Sequence, residues 1–330
     1  MNIAVLGAGA WGTALAAAVA EAGHATRLWG RDPSTLAEVA AQRENRKYLP
    51  GRRLPPEIQI GSDLPAAVAG SEVIIVAVPT ASVRPVAEQL RQAGAAGAII
   101  VSASKGLEQT SRLTVDGVLA EALPGTRVVL LSGPTFAAEI ARGLPAAAVV
   151  ASHDGPAAAL VQRVFGSETF RVYTTEDVTG VAVGGALKNV IAIAAGCADG
   201  LGFGNNARAA LITRGLNEMG RLAVRLGGHP LTLAGLAGLG DLVLTCTGEL
   251  SRNRRVGLAL AAGDPLSQIL GRLGHVAEGV YTARIAAELA QELGVEMPIT
   301  TQVAAVLAGR STARDAVADL LARESGPERG

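Results

Sequence analysis

Aromatic residues make up only 3% of the 330-residue chain, and neither sign of charge prevails, with 29 lysines and arginines against 29 aspartates and glutamates. Without a basic excess or a set of stacking rings, the chain lacks both the electrostatic and the base-stacking means of holding a nucleic acid. Any anionic ligand has to be caught by local groups. Cysteine is as scarce: Cys197 and Cys246 are the only two, and they form no C-x-x-C pair. The four histidines, His24, His153, His229 and His275, stand singly instead of at metal-ligand spacing. A metal-free cytoplasmic protein is the expectation. The apolar stretch 14–22 lacks a preceding basic region and follows Gly7, Gly9 and Gly12, so it does not read as a signal peptide. No uninterrupted apolar run has the length of a bilayer span, and no membrane insertion is expected.

What the chain has in quantity is aliphatic residues. Hydrophobic residues reach 49%, enough for two cores in a chain longer than the usual single domain. Residues 2–6 are short, aliphatic and followed at once by glycine, as in a buried parallel strand, with a helix expected from about Trp11. Further strands are expected at 25–29, 72–78, 98–102 and 128–132, with two more candidates at 146–151 and 169–173. Alanine-rich or apolar-periodic segments separate them, and strands alternating with helices imply a doubly wound parallel sheet. Past Glu176-Asp177, a plausible helix start, the pattern turns helical, with helices expected at 207–226, 281–293 and 300–307. The expected organisation is an α/β domain over 1–177 and a mostly α-helical domain over 178–330, with no internal repeat and the tail from Ser325 disordered.

Between the first strand and the first helix, Gly7-Ala8-Gly9-Ala10-Trp11-Gly12 fits G-x-G-x-x-G, the dinucleotide fingerprint of a Rossmann-type sheet. Gly7 permits the tight turn, Gly9 lets backbone approach a pyrophosphate, and Gly12 lets the helix pack closely on the strand. Where an NAD site usually ends its second strand in Asp or Glu, this chain has Leu28-Trp29-Gly30-Arg31. A guanidinium there suits the 2′-phosphate of NADP(H), with NAD(H) as the second cofactor; the plain alternative is a surface arginine beside Asp32.

Ligands of open parallel sheets lie beyond the carboxyl ends of the strands. Those ends read Pro79-Thr80, Ala103-Ser104-Lys105-Gly106 and Gly133-Pro134-Thr135-Phe136-Ala137, all pointing to one crevice. Gly133-Pro134-Thr135 resembles a helix start with free N–H groups, and Lys105 adds a point charge, though a capped helix and a solvated lysine fit the same residues. Lys188 is a lone lysine in the apolar stretch 181–193, either snorkelling to water or sharing its proton with a partner. Asp241, between Gly238-Leu239-Gly240 and Leu242-Val243-Leu244, should be buried and so needs a partner, for which Lys188 is the candidate. The densest basic cluster, Ser251-Arg252-Asn253-Arg254-Arg255, supplies guanidinium and amide donors for a phosphate or carboxylate, or forms a solvated helix start.

Together these segments carry a resemblance. The Gly7 fingerprint continued through Thr13-Ala14-Leu15, Ser104-Lys105-Gly106-Leu107, the segment 133–139, Gly185-Ala186-Leu187-Lys188-Asn189, Gly238-Leu239-Gly240-Asp241 through Thr247, and the 251–255 cluster all resemble bacterial NAD(P)-dependent sn-glycerol-3-phosphate dehydrogenase, from residue 1 to about 320. The resemblance implies interconversion of dihydroxyacetone phosphate and sn-glycerol 3-phosphate, with Lys188 as proton donor and acceptor. It implies substrate contacts at Lys105, Gly133, Thr135, Lys188, Asp241, Ser251, Arg252 and Asn253. Implied cofactor contacts are Ala10, Trp11, Arg31, Lys105, Ala137, Arg252, Val276 and Glu278, in addition to the fingerprint glycines. Some relatives carry serine and tyrosine where this chain has Ala10 and Trp11, and histidine where it has Arg31. A homodimer through the helical domain is expected. Two other readings suit the same architecture: a reductase of another small keto or hydroxy acid, and a non-catalytic NADP(H)-responsive protein, which would not require Lys188 and Asp241 in an apolar setting.

Overall fold

A computed structural model describes residues 1–323 apart from Ala96 and His275. The tail from Ser325, expected to be disordered, lies outside the described residues. The strands are β1 (Asn2–Leu6), β2 (Ala25–Trp29), β3 (Gln59–Gly61), β4 (Val73–Val76), β5 (Ile99–Ser102), β6 (Arg127–Ser132), β7 (Ala146–Ala151) and β8 (Phe170–Thr175). They form one sheet in the order β3-β2-β1-β4-β5-β6-β7-β8. The order reverses between β1 and β4, which makes the carboxyl ends of these strands the place for a ligand. Both faces are covered: Ile3 and Val5 of β1 join the core on one side with Leu15 and Val19 of the first helix, Ala10–Glu21, while Ala4 and Leu6 join the core on the other. Burial on both faces explains why these strands are continuous aliphatic runs.

One expectation needs correction, since the sheet is not parallel throughout. β6 and β7 pair antiparallel, Leu130 opposite Ala151, because the connection over residues 133–145 holds only the short helix Ala137–Ala141, too little for a crossover spanning a face of the sheet. β8 then runs parallel to β7. β3, with three residues, had no readable pattern of its own; it is held by pairing with β2.

Among the described residues every strand lies before residue 176, and from Val178 on the elements are helices. The helix Val178–Gly200 starts where Glu176-Asp177 suggested, with the Asp177 carboxylate accepting from the Gly180 N–H at 2.8 Å. It is the core of the second half, packed by the helices Gly204–Arg225, Asp241–Thr247, Arg252–Ala261 and Glu278–Leu293. Glycines set the closest of these approaches. A Cβ on Gly196 would lie 2.1 Å from the Arg254 carbonyl oxygen, and one on Gly257 2.0 Å from that of Ile193, so only hydrogen allows the Arg252–Ala261 helix to lie this close. By length and composition alone, Val178–Gly200 and Pro230–Thr247 are apolar enough to cross a bilayer, although Lys188 and Asn189 interrupt the first and Asp241 the second. The apolar window of Val178–Gly200 is wholly buried in protein, and Pro230–Thr247 divides into Pro230–Leu233, a π-helical turn Leu236–Gly240, and Asp241–Thr247.

Candidate active site

The loop after β5, the loop after β6, the middle of the Val178–Gly200 helix and the start of the Asp241–Thr247 helix meet at one buried carboxylate. Asp241 is 1% exposed. Its Oδ1 accepts from Lys188 Nζ at 2.5 Å and its Oδ2 from Lys105 Nζ at 2.7 Å. Lys188 Nζ also donates to Thr245 Oγ1 at 3.1 Å, and Lys105 Nζ to the Gly133 carbonyl at 3.1 Å. Each ammonium therefore has two protein acceptors for three N–H groups. Lys188 does not snorkel; it is paired with Asp241, and Lys105 is a second partner of Asp241 that the sequence did not reveal.

Two cations on one carboxylate leave the cluster with a net positive charge, suited to an anionic ligand or to negative charge that develops during reaction. Burial lowers the pKa of the Lys188 ammonium, Asp241 opposes this, and the charge of Lys105 adds to the lowering, to about 8. Burial raises the Asp241 carboxyl, but Lys105 and Lys188 together outweigh it and hold it below its ordinary value. Lys188 is thus poised to give up and regain a proton near neutral pH.

The basic cluster is joined to this centre through amides. Asn253 Nδ2 donates to Asn189 Oδ1 at 2.8 Å, and the Gly279 N–H donates to Asn253 Oδ1 at 3.1 Å, so Asn253 is held beside the residue that follows Lys188. Ser251 caps its helix, its Oγ accepting from the Arg254 N–H at 3.2 Å, which leaves the hydroxyl hydrogen to donate. Arg252 is exposed by surface area; partial enclosure lowers the pKa of its guanidinium, and Glu278 opposes that. Arg254 has a structural task, bonding Asp199 at 2.7 Å while Arg208 holds the other oxygen of that carboxylate at 2.9 Å.

At the cofactor end, the glycines divide into two kinds. A Cβ on Gly12 would lie 1.9 Å from the Gly7 carbonyl oxygen, and one on Gly7, whose φ is +117°, 2.5 Å from that of Ala77. Both are glycine for the protein's own packing. A Cβ on Gly9 would meet nothing within 4 Å, so no packing among the described residues explains this glycine, whereas a pyrophosphate lying against the turn would. Ala10 begins the first helix with no side-chain cap on Gly9, and the buried Trp11 Nε1 has no partner among the described residues. These features fit a dinucleotide phosphate at the turn. Arg31 is exposed and has no ion-pair partner among the described residues. The neighbouring Asp32 is engaged elsewhere, accepting from the Ser34 N–H at 3.1 Å and from the Ser34 hydroxyl at 2.7 Å. Glu278 Oε1 accepts the Thr80 N–H at 3.0 Å, so it joins the end of β4 to the helical half. Val276 is 38% exposed beside it, and Ala137 packs with Trp11, Ala14 and Leu49.

Gly133-Pro134-Thr135 is not a helix start, contrary to expectation. Gly133 has φ +130°, outside the helical region, and the helix begins at Ala137 after Phe136. Thr135 Oγ1 bonds the Gly133 carbonyl at 3.1 Å, and Gly133 contributes that carbonyl to Lys105.

The chain matches two family models, the NAD-dependent glycerol-3-phosphate dehydrogenase N-terminus over residues 2–158 and the C-terminus of the same family over residues 177–318. The chain belongs to the NAD-dependent glycerol-3-phosphate dehydrogenase family. Among relatives, it is 49% identical over 331 residues to a glycerol-3-phosphate dehydrogenase (NAD(P)+) of Anaeromyxobacter sp. strain K, covering 99% of this chain and 100% of the relative. A second, from Geobacter metallireducens, is 50% identical and covers 100% and 99%. The crystal structure of glycerol-3-phosphate dehydrogenase from Coxiella burnetii superposes with a TM-score of 0.94 at 42% identity, covering 98% of this chain and 99% of that one. Within this family fold, the sequence named Thr80 at a strand end and Asn189 beside Lys188 without giving either a partner, and it assigned no role to Thr245. Thr245 had a signal, since four residues after Asp241 places it on the same helix face; the partners of Asn189 and Thr80 had none, because they lie 64 and 198 residues away.

Proposed function

We propose that this protein interconverts dihydroxyacetone phosphate and sn-glycerol 3-phosphate, with residues 1–177 holding NADP(H) in preference to NAD(H) and residues 178–330 supplying the catalytic side chains. The observation that carries the reading is the buried Asp241 carboxylate shared by Lys188 and Lys105, beyond the carboxyl end of β5, two strands along the sheet from the Gly7–Gly12 turn. A bound reduced nicotinamide would supply the hydride. As negative charge gathers on the substrate oxygen, the Lys188 ammonium stabilises and then protonates it; in the reverse direction the Lys188 amine takes the hydroxyl proton. Asp241 fixes Lys188 and keeps enough of it protonated, while Lys105 adds positive charge on the same carboxylate. Arg252, the Ser251 hydroxyl and the Asn253 amide are the groups for the substrate phosphate, with Gly133 and Thr135 lining the adjacent loop. Gly7, Gly9, Ala10, Trp11, Gly12, Arg31, Lys105, Ala137, Arg252, Val276 and Glu278 are the cofactor-side positions, Arg31 being the group for a 2′-phosphate. A cytoplasmic homodimer that supplies glycerol 3-phosphate for glycerophospholipid synthesis completes the proposal.

The test is oxidation of NADPH and NADH in parallel by the purified chain with dihydroxyacetone phosphate, followed at the reduced-nicotinamide absorbance. Rapid oxidation, faster with NADPH, is expected. Bound cofactor without turnover would overturn the reaction, and faster turnover with NADH would overturn the NADP preference.

A further inference from the structure

Asn45 lies in the loop between the helix Pro33–Gln42 and β3, outside every motif considered above, yet it is completely buried. Its amide nitrogen donates to the Ala8 carbonyl at 2.9 Å and to Thr13 Oγ1 at 2.8 Å. Its amide oxygen accepts the Tyr48 N–H at 3.3 Å. The loop is itself braced: the Leu54 N–H bonds the Arg43 carbonyl at 2.7 Å, the Gly51 N–H bonds the Glu44 carboxylate at 2.8 Å, and Leu49 packs with Trp11 and Ala14. Asn45 is therefore a fixed donor set against the glycine turn and the first helical turn together.

The Ala8 carbonyl and the Gly9 N–H belong to one peptide unit. That unit is planar and trans, so its C=O and N–H point in opposite directions. Holding the carbonyl on Asn45 turns the Gly9 N–H away from Asn45, and a Cβ on Gly9 would meet no described atom within 4 Å. With glycine on both sides of Ala8, this peptide otherwise turns at little cost. We infer that Asn45 is a positioning residue for the dinucleotide: through the Ala8 carbonyl it aims the Gly9 N–H at the pyrophosphate, and through Thr13 it fixes the helix start to the same frame.

This inference rests on the reading of the turn as a dinucleotide site, and binding measurements separate the two. NADPH and NADH are titrated into the full chain by fluorescence, with wild type, Asn45→Asp, Asn45→Ala and, as a control, Leu54→Ala, which weakens the core beneath the same loop without removing a hydrogen bond to the turn. Asn45→Asp is nearly isosteric and still accepts from Tyr48, but it sets an acceptor against the Ala8 carbonyl. Both Asn45 variants are expected to weaken NADPH and NADH by the same factor, about tenfold, because the pyrophosphate is common to both. At saturating NADPH, kcat and the KM for dihydroxyacetone phosphate should stay within about threefold of wild type, as the lost bonds touch neither Lys188 nor the phosphate donors. Leu54→Ala should lower Tm while leaving both affinities unchanged. Should the Asn45 variants not fold, Thr13→Val, which removes one acceptor and keeps the shape, decides with an expected weakening of about threefold for both cofactors. Affinities equal to wild type in the folded variants, or a loss reproduced by Leu54→Ala at matched Tm, would overturn the role of Asn45. A wild-type chain that binds neither cofactor would instead overturn the reading of the turn.

Discussion

Replacing Asp241 by Asn removes one negative charge from between the buried Lys188 and the partly buried Lys105 ammonium and leaves the side-chain volume unchanged. Its Oδ1 lies 2.5 Å from Lys188 Nζ, and charge centres about 4 Å apart interact by about 4 kcal/mol at an effective dielectric constant of about 20. That energy corresponds to about three pKa units. The Lys188 pKa of about 8 in the native protein should then fall to about 5 or 6, since desolvation and the Lys105 charge remain. Ketone reduction needs the ammonium, so the wild-type rate is expected to hold below pH 8 and decline as pH rises through it. For Asp241→Asn that decline begins two or three units lower. At pH 7.5 the variant should reduce dihydroxyacetone phosphate about a hundredfold more slowly, and the deficit should shrink by nearly tenfold per pH unit on acidification toward pH 6. The assay is kcat/KM for dihydroxyacetone phosphate at saturating NADPH from pH 6 to 9, read as the ratio of variant to wild type, in which the titration of the substrate phosphate cancels. A ratio independent of pH would refute the reasoning, because Asp241 would then orient Lys188 without setting its charge.

Four further outcomes follow from the same geometry. Lys188→Ala should lower turnover by about 10²–10⁴, the range for a positioned general acid, with NADPH binding retained in a fluorescence titration; near-normal turnover would remove Lys188 from the mechanism. Arg252→Ala should raise the KM for dihydroxyacetone phosphate far more than it lowers kcat, and an unchanged KM in steady-state kinetics would count against phosphate binding there. Arg31→Ala should reduce kcat/KM for NADPH by about tenfold and leave NADH nearly unaffected, since one exposed charge-assisted contact is lost; equal losses for both cofactors would show that Arg31 does not read the 2′-phosphate. Gly257→Ala forces a methyl to within 2.0 Å of the Ile193 carbonyl oxygen, so thermal unfolding should show a loss of about 3 kcal/mol or more, and an unchanged Tm would mean the two helices part without cost.

Much of the fold was legible because the signals were local. The aliphatic runs of β1, β2, β4 and β5 and the glycines after β1 report burial on both faces and a tight turn, properties that each segment carries in its own residues. Asp177 marked the start of the Val178–Gly200 helix through a cap three residues long. Where the sequence reading failed, the deciding interaction lay elsewhere in the chain. β3 is a strand only because β2 is beside it, and β7 is antiparallel because residues 133–145 are too short a connection for a crossover.

The same division runs through the site. By itself the sequence determined that Asp241 would be buried and would need a partner, since an unpaired charge among aliphatic side chains is too costly to persist, and it left Lys188 either snorkelling or paired. It also determined that a tight glycine turn, Gly7–Gly12, would join the first strand to the first helix. Only the tertiary structure decided that Lys105 shares the Asp241 carboxylate across 136 residues, and that Asn253 reaches Asn189 through a helix contact that two glycines allow. It likewise decided that Asn45 holds the peptide before Gly9. The physical reason is that burial is written into a residue's own neighbours along the chain, whereas the pairing of hydrogen-bond donors with acceptors depends on which segments packing brings to the same point.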